Sequence, residues 1–296
     1  MKAVESPLVA AGSDPSGSEP ELLDQLAQRL ASVRPILVVS PPRSVSTAFA
    51  QSLIQHSAVP SYCHEPCGLY SYENTSLQSV LDLLDGLPPN SLIKEMTFQF
   101  RELSVAECFF RHCVSPTIFL ARSPLLTIES RIRRVLVDLI EDPSTTENDR
   151  RRARAAIDAK DYSELDDLLD DEVFPLARTG WSDFEQQVDL CRRLGLDYRV
   201  VETTRFRADP EAVLRDLCPR LGLEFEPGML HWEARSALPP GALGRHAAWY
   251  ARVGESTGVQ PPVEKTLSAD RFPTRFRDHL PAALETYDRL VAELDR

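Results

Sequence analysis

Lysine is scarce in this 296-residue chain: it stands only at positions 2, 94, 160 and 265, so almost all of the positive charge is arginine. With a net charge of -12, the chain lacks the broad cationic surface by which proteins hold nucleic-acid phosphates, which argues against a nucleic-acid partner while leaving room for a basic pocket that takes a small polyanion. It also lacks any apolar run approaching a membrane span. Its first residues are acidic and carry Pro, Ser and Gly, without the basic and apolar make-up of a secretory signal. The expectation is a soluble, cytoplasmic chain with no membrane partner. The six cysteines, Cys63, Cys67, Cys108, Cys113, Cys191 and Cys218, form no Cys-x-x-Cys pair, so the usual zinc frame is missing and reduced, buried thiols with no metal are expected. There are no internal repeats. The length suits one large domain with a sizeable core.

A second absence concerns the stretch Pro35 to Phe49. An apolar, β-branched run ends at Pro41-Pro42, which cannot extend a ladder, and hydroxyl residues then lead into a helical pattern through Phe49, Leu53 and Ile54. A strand, a turn and a helix N-terminus make an anion site from free amides and the helix dipole, to which Arg43 and the hydroxyls of Ser44, Ser46 and Thr47 add donors. Neither the glycines nor the lysine of the ATP-type Gly-x-x-x-x-Gly-Lys loop is there. An ordinary serine-capped turn is the competing reading.

Residues 1–34 read as a lead and a helix, the latter over Glu21–Val33. After the helix at 46–57, residues 61–70 read as a loop bearing His64 and Glu65 before Pro66. The run Ser91–Met96 reads as a strand ending in Lys94 and Glu95. The run Thr117–Ala121 reads as a strand ending in Arg122, with Pro124 opening the next helix. Charges at the carboxyl ends of strands are where open α/β sheets place chemistry. Residues 142–172 are strongly charged and read as solvated helices and loops, a plain surface or a mobile cover. A helix at Trp181–Leu194 stops at Gly195, a strand follows at 198–203, and helices follow at 210–221 and 279–294. Strands alternating with helices four times predict an α/β fold with a mostly parallel sheet, in one domain over 35–296. Trp232, Trp249, Tyr250, Tyr70 and Phe100 are candidates for an acceptor pocket, although aromatic residues in such places more often belong to the core.

These segments resemble the P-loop-like sulfotransferases that use 3'-phosphoadenosine 5'-phosphosulfate. Pro42-Arg43-Ser44-Val45-Ser46-Thr47 resembles the loop that holds the 5'-phosphosulfate. Phe119-Leu120-Ala121-Arg122-Ser123-Pro124 followed by Ser130 resembles the 3'-phosphate motif, with Arg and Ser eight residues apart. The segments Val201-Glu202-Thr203, Asp209–Leu214 and Leu221-Gly222-Leu223 are similar to a strand and helix of bacterial members, as are His64-Glu65-Pro66 and Lys94-Glu95-Met96. Val45 stands where the family usually has glycine, so its backbone is expected to avoid a glycine-only conformation. Glu95 stands where aspartate is usual.

The resemblance implies a P-loop-like three-layer fold, this nucleotide as cosubstrate, adenosine 3',5'-bisphosphate as product and no metal. The partner implied is a small-molecule acceptor, with a homodimer as the candidate assembly. Arg43 and residues Ser44, Val45, Ser46 and Thr47 would hold the 5'-phosphate, Arg122 and Ser130 the 3'-phosphate, and Arg245 in a late loop would close over it. Lys94 would reach the transferred group. Glu65 is the first candidate for the base, its pKa expected to rise toward neutrality through desolvation; His64 and Glu95 are the rivals. An ATP-dependent kinase and a degenerate, non-catalytic nucleotide-binding protein are the alternatives.

Overall fold

The computed structural model describes residues 18–234, 254–262 and 267–294. Five strands, β1 (Ile36–Ser40), β2 (Tyr62–His64), β3 (Leu92–Met96), β4 (Val114–Ala121) and β5 (Tyr198–Glu202), form one sheet in the order β2-β3-β1-β4-β5. All four neighbouring pairs are parallel. Every carboxyl end therefore lies on one edge, where the loops converge.

Strand residues alternate between two apolar layers, as the pleat requires. Leu37, Val39, Ile93, Phe119 and Val200 face a core shared with α1 (Glu19–Val33), α4 (Gln78–Leu84), α5 (Leu103–His112), α6 (Pro124–Glu141), α8 (Trp181–Leu194) and the last helix, α11 (Thr274–Glu293). Ile36, Val38, Leu92, Ile118 and Leu120 face the other core, covered by α2 (Ser46–Ile54), α9 (Thr203–Ala208) and α10 (Pro210–Arg220). A sheet buried on both faces explains why its strands read as continuous apolar runs.

Residues 62–64, expected as loop, are the edge strand β2, and the short α3 (Gly68–Tyr72) follows. Three residues are too few to carry a periodic signal; their pairing with β3 makes them a strand. The last helix begins at Thr274, a turn earlier than its spacing suggests. The charged segment also departs from a plain surface. Its helix α7 (Glu147–Ala159) is largely exposed, but Tyr162, Leu165, Leu169 and Phe174 are fully buried in the larger core. Tyr162 donates to the Glu129 carboxylate at 2.9 Å, and the Arg275 guanidinium reaches the Leu169 carbonyl at 2.6 Å.

All six cysteines are free thiols; Cys63, Cys67, Cys191 and Cys218 are buried. Tyr70, Phe100 and Trp232 are buried too, and Phe100 meets Phe109 edge-on at 5.3 Å, which assigns it to the core. Trp249 and Tyr250 lie outside the described residues. Among the described residues no helix is long and apolar enough to cross a membrane.

Candidate active site

The turn after β1 packs back on the sheet through two left-handed residues, Arg43 at φ 66° and Val45 at φ 62°. Val45 does not take a glycine-only conformation, but it does enter the left-handed α region that glycine favours, a costly state for a β-branched residue. Val45 opens α2 with no side-chain cap, so the first amides of that helix, which have no intrahelical acceptor, are left for an outside anion. The Ser44 hydroxyl is fully buried and has no hydrogen-bond partner among the described residues. Ser46 is buried and Thr47 half-buried on the first turn of α2.

Arg122 leaves β4 and donates to the Arg43 carbonyl at 2.9 Å, while Arg43 Nε donates to the Ser130 hydroxyl on α6 at 3.1 Å. Two motifs separated by some eighty residues of chain thus meet in one place. Arg245 lies outside the described residues.

Next to this loop the parallel register sets His64 opposite Lys94 and on the same face of the sheet. The Lys94 ammonium, 1% exposed, bonds to Glu65 Oε1. His64 Nε2 lies 3.1 Å from the same oxygen, its Nδ1 contacts the Tyr62 hydroxyl, and Gln99 Nε2 donates to Glu65 Oε2 at 2.8 Å. Burial alone would raise the Glu65 pKa, but Lys94 and His64 outweigh it and hold the carboxyl well below the usual range. The expected rise toward neutrality is therefore reversed, because a buried cation has been placed against the carboxylate. Burial, opposed by Glu65, lowers the His64 pKa, so its imidazole is neutral near pH 7.

Glu95 points to the opposite face. It is fully buried, its Oε1 accepts from the Cys67 amide at 2.6 Å, and its Oε2 has no partner among the described residues. Burial raises its pKa to about 8. A carboxyl that is protonated at neutral pH and turned away from Lys94 is better suited to anchoring the turn after Glu65 than to accepting a proton near it.

Sequence patterns gave no sign of the support behind the loop. Thr97, just past β3, donates to the Gly180 carbonyl at 2.7 Å, and Gln187 Nε2 donates to the Thr97 carbonyl at 2.7 Å. Gly180 sits at φ 74° where a Cβ would lie 2.4 Å from Thr97 Oγ1 and 2.9 Å from Pro42 Cδ. Only glycine lets α8 approach the Pro41-Pro42 turn this closely. Among the described residues no group of three or more His, Cys, Asp or Glu side chains is placed to hold a metal.

Comparison with known proteins bears on the part of the chain that supplies this support. Residues 179–293 match the sulfotransferase domain family. The match begins at the Gly180 contact and runs through α11, so the resemblance to the sulfotransferase superfamily holds on chain that lies beyond the Arg43 and Arg122 motifs. Two curated relatives from Arabidopsis thaliana, branched-chain-amino-acid aminotransferase-like proteins 2 and 1, are each 33% identical over 102 residues, 34% of this chain. The matched stretch spans 17% of the length of these relatives. Among solved structures, the sulfotransferase domain from the curacin biosynthetic pathway aligns over 88% of this chain and 96% of its own, with 17% identity and a TM-score of 0.43. The sulfotransferase from Alicyclobacillus acidocaldarius aligns over 66% of this chain and 88% of its own, with 17% identity and a TM-score of 0.39.

Proposed function

We propose that the protein moves a sulfuryl group from 3'-phosphoadenosine 5'-phosphosulfate to the hydroxyl, or amine, of a small-molecule acceptor. The observation that carries this reading is the meeting of Arg43, Arg122 and Ser130 at the uncapped start of α2. A nucleotide with phosphate at both ends needs two anion sites built on one rigid edge, and this edge offers both. The free Ser44 hydroxyl fits the same ligand, since a buried hydroxyl without a partner is costly unless something completes it.

In this reading Arg43, Ser44 and the amides of residues 45–47 hold the 5'-phosphate, with Ser46 and Thr47 adding donors, and Arg122 with Ser130 holds the 3'-phosphate. The bound nucleotide supplies the electrophilic sulfur. Positioning and fixed positive charge do the rest, as in phosphoryl transfer. Lys94 divides its charge between Glu65 and the anion site. Bonded to Glu65 it keeps the carboxylate ionised but weakly basic; drawn toward the anion site it releases Glu65 to accept the acceptor proton. His64, neutral and fixed between Tyr62 and Glu65, orients that carboxylate and is a second acceptor for the proton. The match of residues 179–293 to the sulfotransferase domain family supports the reaction class, and the loop chemistry supports the donor.

Calorimetric titration with adenosine 3',5'-bisphosphate tests the reading, with ADP and Mg-ATP as controls. Binding of the bisphosphate that is lost in Arg122→Ala and absent for ADP is the expected result. Preference for Mg-ATP, or no nucleotide binding by the unaltered protein, would overturn it.

A further inference from the structure

The cluster at the ends of β2 and β3 has a second wall that the donor loop does not use. Tyr72 ends α3, and its hydroxyl stands against the Arg131 guanidinium within the fields of Glu65 and Arg178. The Arg178 guanidinium lies over the Tyr72 ring, 5.5 Å from its centroid, and Phe98 meets that ring edge-on at 5.6 Å. Arg131, 4% exposed, is 5.9 Å from the centre of the Phe174 ring. One residue along α6 turns the direction of a side chain by about 100°. The helix that offers Ser130 to Arg43 therefore offers Arg131 to Tyr72.

The chemistry of this wall differs from that of the phosphate loop. Guanidinium groups are planar donors matched to oxyanions, and here two of them flank one phenol while aromatic rings provide flat apolar surface. Arg178 and the ring of Tyr72 are half-buried and form the approachable side, with the buried Tyr72 hydroxyl and Arg131 behind them. Phe98, edge-on to Tyr72, is followed in the chain by Gln99, which donates to Glu65 Oε2, so this wall adjoins the Glu65 cluster. Tyr70 and Phe100, aromatic candidates for an acceptor pocket, lie in the core, the commoner place for such residues, whereas Tyr72 and Phe98 stand at the cluster.

Resting on the sulfuryl-transfer reading, we infer that Arg131, Arg178 and Tyr72 form the acceptor subsite, and that the acceptor carries an oxyanion such as a carboxylate in addition to the hydroxyl that is sulfated. Its body is apolar enough to lie against the half-buried Tyr72 ring, which Phe98 backs edge-on. Arg131 and Arg178 set specificity; Glu65 and Lys94 remain the groups at the reacting atoms.

Matched pairs that differ only in charge test this: 4-hydroxyphenylacetate against 4-hydroxyphenylacetamide, and 3-hydroxybutyrate against 3-hydroxybutyramide. Each is titrated calorimetrically into protein saturated with adenosine 3',5'-bisphosphate and then assayed for sulfation with the phosphosulfate donor. The expected result is a preference for at least one carboxylate over its amide of about ten- to a hundredfold, the range of a charge-assisted hydrogen bond. Arg178→Met should erase that preference and leave bisphosphate affinity unchanged. Arg131→Met should do the same, with Arg131→Lys as the variant that keeps the buried charge should Arg131→Met fold poorly. Equal or better binding of the amides, or no binding of either carboxylate by protein that holds the bisphosphate, overturns the inference and leaves the donor reading standing. Loss of bisphosphate affinity in Arg178→Met also overturns it, since Arg178 would then belong to the donor site. Failure of the unaltered protein to bind the bisphosphate overturns both.

Discussion

Lys94, in the middle of β3, and Glu65, just past the end of the neighbouring parallel β2, form a buried ion pair in which the lysine is 1% and the carboxylate 7% exposed. Removing one member of such a pair strands the other charge, which typically costs about 3–5 kcal/mol. Lys94→Met should therefore lower unfolding stability at pH 7 by about that amount in urea titrations. Lys94→Met combined with Glu65→Gln should recover most of the loss, because no unpaired charge remains. Recovery of stability without recovery of the proposed sulfuryl transfer would separate the pair's contribution to folding from its chemistry. The pH dependence follows from the depressed Glu65 pKa: the stabilisation is full above the ordinary carboxylate range and fades as pH falls through the folded value. Denaturation midpoints of the wild type should fall at acid pH, and those of the double variant should fall less.

Glu95 should show the opposite dependence. Its pKa is raised to about 8 by burial, so the folded state favours the protonated form, and that advantage, full below about pH 4.3, fades as pH rises toward 8 and through it. A single such carboxyl contributes a slope of up to about 1.4 kcal/mol per pH unit within this window. Glu95→Gln keeps an acceptor for the Cys67 amide and carries no titrating proton. Between pH 5 and 8 the variant should lose less stability than the wild type in parallel urea series, while bisphosphate affinity stays the same. A large fall in turnover beyond what the altered stability explains would return Glu95 to the list of candidate bases.

What could be read in the sequence were the features carried by neighbouring residues. The apolar runs before Pro41 and Arg122 mark buried strands, and the hydroxyls after Arg43 mark a helix start; each is visible within a dozen positions. Features that depend on distant chain were hidden. Tyr62–His64 is a strand only because β3 pairs with it. The sign of the Glu65 shift is not legible locally, because its nearest cation comes from a residue 29 positions away. Tyr162, Leu165, Leu169 and Phe174 sit in a stretch dominated by charge, and only their spacing against α6 and α11 turns them inward. In sequence Gly180 is only a glycine before a helix; the closeness of Thr97 and Pro42 is what requires it.

Gly180 supports the anion loop from behind, so its substitution should act on affinity as well as stability. A Cβ there would stand 2.4 Å from Thr97 Oγ1 and 2.9 Å from Pro42 Cδ, at a φ of 74° that side chains rarely adopt. Gly180→Ala forces the Pro41-Pro42 turn and α8 apart, at about 1–3 kcal/mol for the backbone and a similar amount for overpacking. Thermal unfolding should shift downward. Bisphosphate affinity, measured well below the unfolding temperature, should fall with it, whereas Gly195→Ala, where no atom lies within 4 Å of an added Cβ, should leave affinity unchanged.

Val45 is held in the left-handed conformation at φ 62° and ψ 13° at the start of α2. For a β-branched residue this state costs about 1–3 kcal/mol, and the cost is tolerated where the surrounding structure overdetermines the turn. Val45→Gly removes the strain but adds the conformational freedom of glycine to the unfolded chain, about 0.5–1 kcal/mol. The expected net effect is a modest gain in stability, with bisphosphate affinity kept or raised because the amides of residues 45–47 retain their direction at lower strain. Val45→Ile keeps the strain and should give no gain. A clear destabilisation by glycine in thermal unfolding would mean that the half-buried valine side chain contributes more through packing than its backbone costs. Valine where the similar sulfotransferase loops have glycine would then be a source of stability in this chain, and the affinity measurement would show whether the anion loop depends on it.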